Sequence, residues 1–215
     1  MNISNYKWMS ETIISNIEGI KSMLDSDISE DYREHIGNFF AEEDEYGLEI
    51  LSEAIADFYL KENIDLTVKN GVQSIAIIFP NEEEYVLKMS ISNLELINNF
   101  INDLNPKFQK FFEEYILLDT YEDINFYLQK RIDCEKTNAS QKKYPTSNYD
   151  IRDGQLLATM LEYEGIEDAE EAEEYMAAFE ETCGIAADKK FIVDIHSGNW
   201  GMLNGKPIIF DPVVI

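Results

Sequence analysis

Apolar residues change their spacing near residue 64, and that change constrains the fold more than any other feature of the chain. Before it, Ile13, Ile17, Ile20 and Leu24 recur every three or four residues, and so do Leu48, Leu51, Ile55 and Phe58. Each set forms one face of an amphipathic helix, so two or three helices precede Glu62. From Ile64 the runs IDLTV, SIAIIF and YVLKMS follow, punctuated by Asn70-Gly71 and by Pro80-Asn81 with its acidic cluster. Short β-rich runs bounded by such residues predict three strands joined by tight turns. The fold class is therefore α+β.

Helical spacing returns over Leu94 to Ile101 and Phe108 to Tyr115, interrupted at Asn105-Pro106, where proline cannot continue the hydrogen-bond ladder. Two further β-like runs, YILLDT and INFYLQKRI, come next, and the polar stretch from Asp133 to Asn148 has no period and reads as a connection. Helices are expected from Gln155 to Tyr163 and from Glu167 to Cys183. The second places Ala169, Ala172, Met176, Phe179 and Cys183 on one side and its glutamates on the other. The chain then runs FIVDIHSGN, WGML, Asn204-Gly205 and PIIFD. Asn-Gly between two β-like runs predicts a two-residue type I′ hairpin.

The 215 residues, 45% hydrophobic and 12% aromatic, can build one sizeable core or two small ones. No apolar run approaches the roughly 20 residues that span a bilayer, and MNISNYKWMSETII lacks the basic start and apolar centre of a secretory signal. A soluble, cytoplasmic protein is the expectation. With 43 Asp and Glu against 17 Lys and Arg, the formal charge of −26 opposes binding to nucleic-acid phosphates or anionic membranes. Acidic residues cluster at Glu42 to Glu45, at Glu82 to Glu84 and from Glu162 to Glu181, the last run without Lys or Arg. Solvated helix faces explain such runs; a surface that meets a basic protein partner is the sharper alternative. Cys134 and Cys183 form no CxxC, and His35 and His196 form no HExxH, so disulfide, zinc and metal-hydrolase readings find no support.

The residues that carry chemistry lie towards the end. Asp194 and Asn199 stand five apart in DIHSGN, the spacing of the catalytic aspartate and metal-binding asparagine in a kinase catalytic loop. Asp211 follows twelve residues after Asn199, across the hairpin, and Lys88 in YVLKM sits towards the end of a strand-like run after an acidic turn. Phosphoryl transfer from ATP needs such a set: a lysine on the phosphates, metal ligands and a carboxylate for the attacking hydroxyl. On these residues the chain resembles the protein-kinase-like superfamily. DIHSGN is closer to the D-x-H-x-x-N loop of aminoglycoside and choline phosphotransferases, and of small kinase-like proteins of bacteriophages, than to the loop of protein kinases. The resemblance extends from about Asp65 to the C-terminus. It implies an N-terminal helical extension (1–63), a β-rich kinase-like lobe (64–132) and a truncated helical lobe (133–215).

Further roles follow from the resemblance. Asp194 becomes the catalytic base or hydroxyl-orienting group, Asn199 and Asp211 the Mg²⁺ ligands, and Lys88 the clamp on the ATP phosphates. His196 braces the loop, and Trp200 belongs to the core rather than to a substrate platform. Where kinases carry a Gly-rich loop, KNGVQSIAI offers Gly71, Ser74 and nearby amides. Glu95 is the first glutamate on the helix after Lys88 and thus its candidate partner, with Glu113 and Glu114 as alternatives. Ile192 stands where the family's usual histidine precedes the catalytic aspartate. Only four residues follow Asp211, leaving no acceptor-binding helices after it, so the N-terminal helices are expected either to supply an acceptor platform or to belong to a scaffold with another use. Two functions are compatible with this sequence. One is an ATP/Mg²⁺-dependent phosphotransferase acting on a host protein or small hydroxyl compound. The other is a non-catalytic kinase-like phage protein that inhibits a host factor through its acidic surface.

Overall fold

The described helices at the start of the chain have apolar faces that must be covered, and a sheet covers them. In a computed structural model, residues 2–24, 28, 35–41, 45–71, 74–132, 169–193, 199–204 and 206–214 are described. The chain forms two compact units, Met1–Leu94 with Tyr115–Lys130, and Glu95–Glu114 with Arg131–Ile215.

In the first unit, α1 (Lys7–Ser15), α2 (Ile17–Lys21), α3 (Asn38–Ala41) and α4 (Glu45–Lys61) precede β1 (Thr67–Asn70), β2 (Ser74–Ile78), β3 (Tyr85–Ser90), β4 (Ile116–Tyr121) and β5 (Ile124–Lys130). The strands form one antiparallel sheet in the order β1-β2-β3-β5-β4. The run IDLTV becomes a strand only from Thr67, because α4 and its exit occupy the residues before it. That exit has a left-handed Asn63 (φ 60°), with Ile64 N–H bonded to Tyr59 C=O at 2.8 Å and Asn63 N–H to Leu60 C=O at 3.0 Å. These two bonds satisfy the last helix carbonyls and turn the chain into the sheet.

Side chains alternate across a strand, and the alternation divides the sheet into two faces. Ile75, Ile77, Tyr85, Leu87, Met89, Ile124, Phe126 and Leu128 join Met9, Ile13, Ile17, Ile20, Leu48, Leu51, Ile55 and Tyr59 in a single buried cluster. Helices and sheet thus share one core, and the change of period at residue 64 separates element types within it. The close approach of α2 to α4 depends on Gly19, where a methyl group would overlap the Phe58 ring. Lys88 lies on β3 between Leu87 and Met89 and so on the opposite face. The N-terminal helices therefore cover the face of the sheet away from this lysine.

The second unit holds α5 (Glu95–Asp103), α6 (Pro106–Gln109), α7 (Ala169–Lys189), β6 (Ile192–Val193), β7 (Trp200–Leu203), β8 (Lys206–Ile209) and β9 (Val213–Val214). Pro106 opens α6 rather than merely ending α5, and Asn105 caps it by accepting Lys107 N–H at 3.1 Å. The helix expected over Phe108 to Tyr115 stops at Gln109, because the chain leaves it to pair with β8. Ile209 N–H bonds Phe111 C=O at 2.8 Å and Glu113 N–H bonds Ile209 C=O at 2.9 Å.

Helix α7 runs past Cys183 to Lys189. Its best-buried described residues are Ala178, Thr182 and Ala186, a stripe hidden in the sequence by the polar Thr182. That hydroxyl donates to Ala178 C=O at 2.7 Å, so it needs no other partner to be buried. Cys183 lies half-buried on the flank of this stripe. Part of the acidic run is engaged inside the unit: Glu174 meets Lys110 at 2.6 Å, and the Glu181 carboxylate accepts Asn105 N–H. The expected helix at 155–163 and connection at 133–148 lie outside the described residues. Among the described residues no helix is long and apolar enough to cross a membrane.

Candidate functional site

Lys88 occupies the central strand, paired across β2 with Ala76 and across β5 with Tyr127. It is only 6% exposed. A lysine is rarely so buried unless its ammonium finds compensation. Some of that compensation is aromatic, since Nζ lies over the Tyr115 ring, 5.0 Å from its centroid.

Gly71 and Ser74 come together at the β1–β2 connection, where Gly71 N–H bonds Ser74 C=O at 2.7 Å. Both are more open than Lys88: Gly71 is exposed and Ser74 half-buried. Ser74 pairs with Ser90, two residues after Lys88 on β3.

Asn199 and Asp211 meet at the base of the β7–β8 hairpin. The pairing of Trp200 with Ile209 and of Leu203 with Lys206 brings the hairpin ends together, and Asn204 has the positive φ, 53°, that the Asn-Gly turn requires. Below the hairpin, Phe210 N–H bonds Asn199 C=O at 2.9 Å and Asn199 Nδ2 donates to Asp211 C=O at 3.2 Å. A carbonyl can only accept, so the amide nitrogen is the donor in this contact; of the two amide atoms only the oxygen has the chemistry to ligate a cation. Asp211 is half-buried in a left-handed conformation, φ 50°, which Asp tolerates better than most residues. An amide oxygen and a carboxylate are hard donors, and Mg²⁺ characteristically takes one or two protein carboxylates together with substrate phosphates and water. The two side chains carry donor types of that kind. Among the described residues no three His, Cys, Asp or Glu side chains gather into a metal-holding cluster.

Asp194 and His196 lie outside the described residues. The residue before Asp194, Val193, pairs with Val213, two residues beyond Asp211. Trp200 stands on β7, but its side chain also lies outside the described residues. Glu95 opens α5 and is exposed, in the first turn where the helix dipole favours a carboxylate. Of the alternatives, Glu113 is buried at 4% and Glu114 is exposed.

Sequence reasoning missed Tyr115 and Tyr127, which read as ordinary hydrophobic positions of two strand-like runs. The alternation INFYLQ does put Tyr127 on the face opposite Phe126 and Leu128, and that was the available signal. Burial, followed by the Glu180 carboxylate, pushes the Cys183 thiol above its ordinary pKa, which disfavours the reactive thiolate.

No family model, no curated protein and no solved structure matches this chain.

Proposed function

We propose that this chain is a kinase-like phosphotransferase that uses ATP and Mg²⁺ to phosphorylate a hydroxyl group of a protein or small molecule. The observation that carries the reading is the Asn199–Asp211 pair, two oxygen donors separated by twelve residues and joined by an amide-to-backbone hydrogen bond of 3.2 Å. In the reading, the five-stranded sheet belongs to the β-rich lobe, with Lys88 on its third strand, where protein kinases carry their phosphate-binding lysine. A helix, α5, follows that strand, then two more strands, and Asp194, Asn199 and Asp211 come in the order the chemistry needs.

Bound Mg²⁺ would neutralise negative charge on the ATP phosphates. Asn199 and Asp211 hold it through the amide oxygen and the carboxylate. Lys88 binds phosphate oxygens through its ammonium, and the Ser74 hydroxyl at the β1–β2 connection is a further donor for them. Asp194 accepts the hydrogen bond of the acceptor hydroxyl, orients it and takes its proton.

Isothermal titration of the full chain with ATP, with and without Mg²⁺, tests the reading. Metal-dependent binding that is lost in Asp211→Asn and Lys88→Met supports it; the same binding in wild type and both variants, or none in wild type, sinks it. Phosphate transfer to water or a hydroxyl acceptor, abolished by Asp194→Asn, then separates a phosphotransferase from a protein that only binds nucleotide.

A further inference from the structure

A lysine that clamps phosphate must hold its ammonium in place before the nucleotide arrives, and a long flexible side chain does not do so unaided. The ring of Tyr115 lies beneath Lys88 Nζ at 5.0 Å, inside the limit of about 6 Å for attraction between a cation and a ring face. Tyr115 in turn meets Tyr127 edge to face, with centroids 6.3 Å apart and planes at 76°, a favoured geometry for aromatic pairs. Tyr127 is also the cross-strand partner of Lys88. Its hydroxyl accepts Leu94 N–H at 3.1 Å and donates to Ser92 C=O at 3.4 Å. Both rings are buried, at 2% and 1% exposure. The ammonium, two rings and the segment after β3 thus form one connected set within a single unit of the fold.

We propose that Tyr115 is a positioning residue for Lys88: its ring holds the ammonium on the face of the sheet opposite the helical core, and Tyr127 holds the ring. The proposal rests on the reading in which Lys88 binds nucleotide phosphate. The chemical content is specific. The ring's electron-rich face is required, whereas the Tyr115 hydroxyl is not, so Phe should replace Tyr115 and a ring of the same shape with a weakened quadrupole should not. Fixing the ammonium beforehand removes part of the ordering cost that phosphate binding would otherwise carry.

The test uses the full chain in two arms. In the first, proton–carbon NMR of lysine-labelled protein follows the Lys88 ε-methylene signal, assigned with Lys88→Arg. A ring-current upfield displacement is expected in wild type and Tyr115→Phe and is lost in Tyr115→Leu; an undisplaced wild-type signal overturns the proposal. In the second arm, MgATP affinity is measured for Tyr115→Phe and for chains carrying mono-, di- and trifluorophenylalanine at position 115, which fold without a cavity even where Tyr115→Leu does not. Affinity is expected within about twofold of wild type for Phe and to fall stepwise to about tenfold weaker with three fluorines. A flat series overturns the positioning role while leaving the phosphotransferase reading intact. Failure of wild type to bind MgATP overturns that reading and the nucleotide-positioning role with it, and the NMR arm then still decides whether the ring holds the ammonium.

Discussion

Lys88 and the Asn199–Asp211 pair are held by different physical means. Lys88 takes its direction from strand alternation inside a sheet whose other face is fixed by a core of helices and strands. The pair takes its geometry from a hairpin of two four-residue strands, the backbone bond from Phe210 to Asn199 and one side-chain bond from Asn199. A residue placed by packing moves only when a large cooperative structure fails. A residue placed by a few hydrogen bonds at a turn can be displaced with little loss of stability. Fold and candidate chemistry therefore separate more cleanly in the second unit than in the first.

Leu87 is fully buried on the core face of β3 next to Lys88. Leu87→Ala should cost about 2–5 kcal/mol in urea unfolding; a cost near zero would mean that packing does not place Lys88. Tyr59 is a smaller probe of the same core. Its hydroxyl donates to Thr12 C=O at 2.7 Å and accepts from Asn16 Nδ2 at 3.2 Å, so Tyr59→Phe should cost about 1–2 kcal/mol. Burial raises the Tyr59 pKa from its ordinary 10.0, an effect only partly offset by Asn16. The unfolded chain then loses this proton first as the pH rises. The associated stability is whole below about pH 10 and is lost as pH climbs through the raised folded value, a slope that unfolding measured from pH 8 to 11 should lose in Tyr59→Phe.

Asn199→Ala removes the side-chain bond that closes the hairpin base. Urea unfolding should register about 1 kcal/mol or less, while Mg²⁺-dependent ATP binding falls beyond detection; a stability loss as large as that of Leu87→Ala would show that the hairpin belongs to the packed core. The smallest effects lie at two helix exits of the same design. Lys190 (φ 62°) ends α7 as Asn63 (φ 60°) ends α4, with Phe191 N–H bonded to Ala186 C=O at 2.9 Å. Lysine is the poorer residue for that conformation, so Lys190→Gly should raise stability by about 0.5–1 kcal/mol, and Asn63→Gly by about half that or less. Differential scanning calorimetry of the two variants would expose any reversal of this order.

What the sequence determined by itself was local. Apolar spacing marked α4 and α5 and the helical character of Ile13 to Leu24, though not its division at Asn16 into α1 and α2; the boundaries of β3 could be read directly, Pro106 broke the helical run, and Asn204-Gly205 set the hairpin that closes Asn199 on Asp211. Each follows from backbone preferences acting over a few residues. The alternation YVLKMS even divided Leu87 and Met89 from Lys88, but it could not say which of the two sets the N-terminal helices would cover. Nor could it say that β5 rather than β4 would lie beside β3, since both runs have strand character and only the long-range pairing distinguishes them. That pairing sets Tyr127 opposite Lys88, and the tertiary packing lays Tyr115 beneath its ammonium. The buried stripe of α7 escaped for a related reason: Thr182 is polar by composition and becomes core once its hydroxyl is spent on Ala178. Local preference decides what each segment is, whereas burial of one face against another decides which polar groups share an environment, and only the folded chain contains that information.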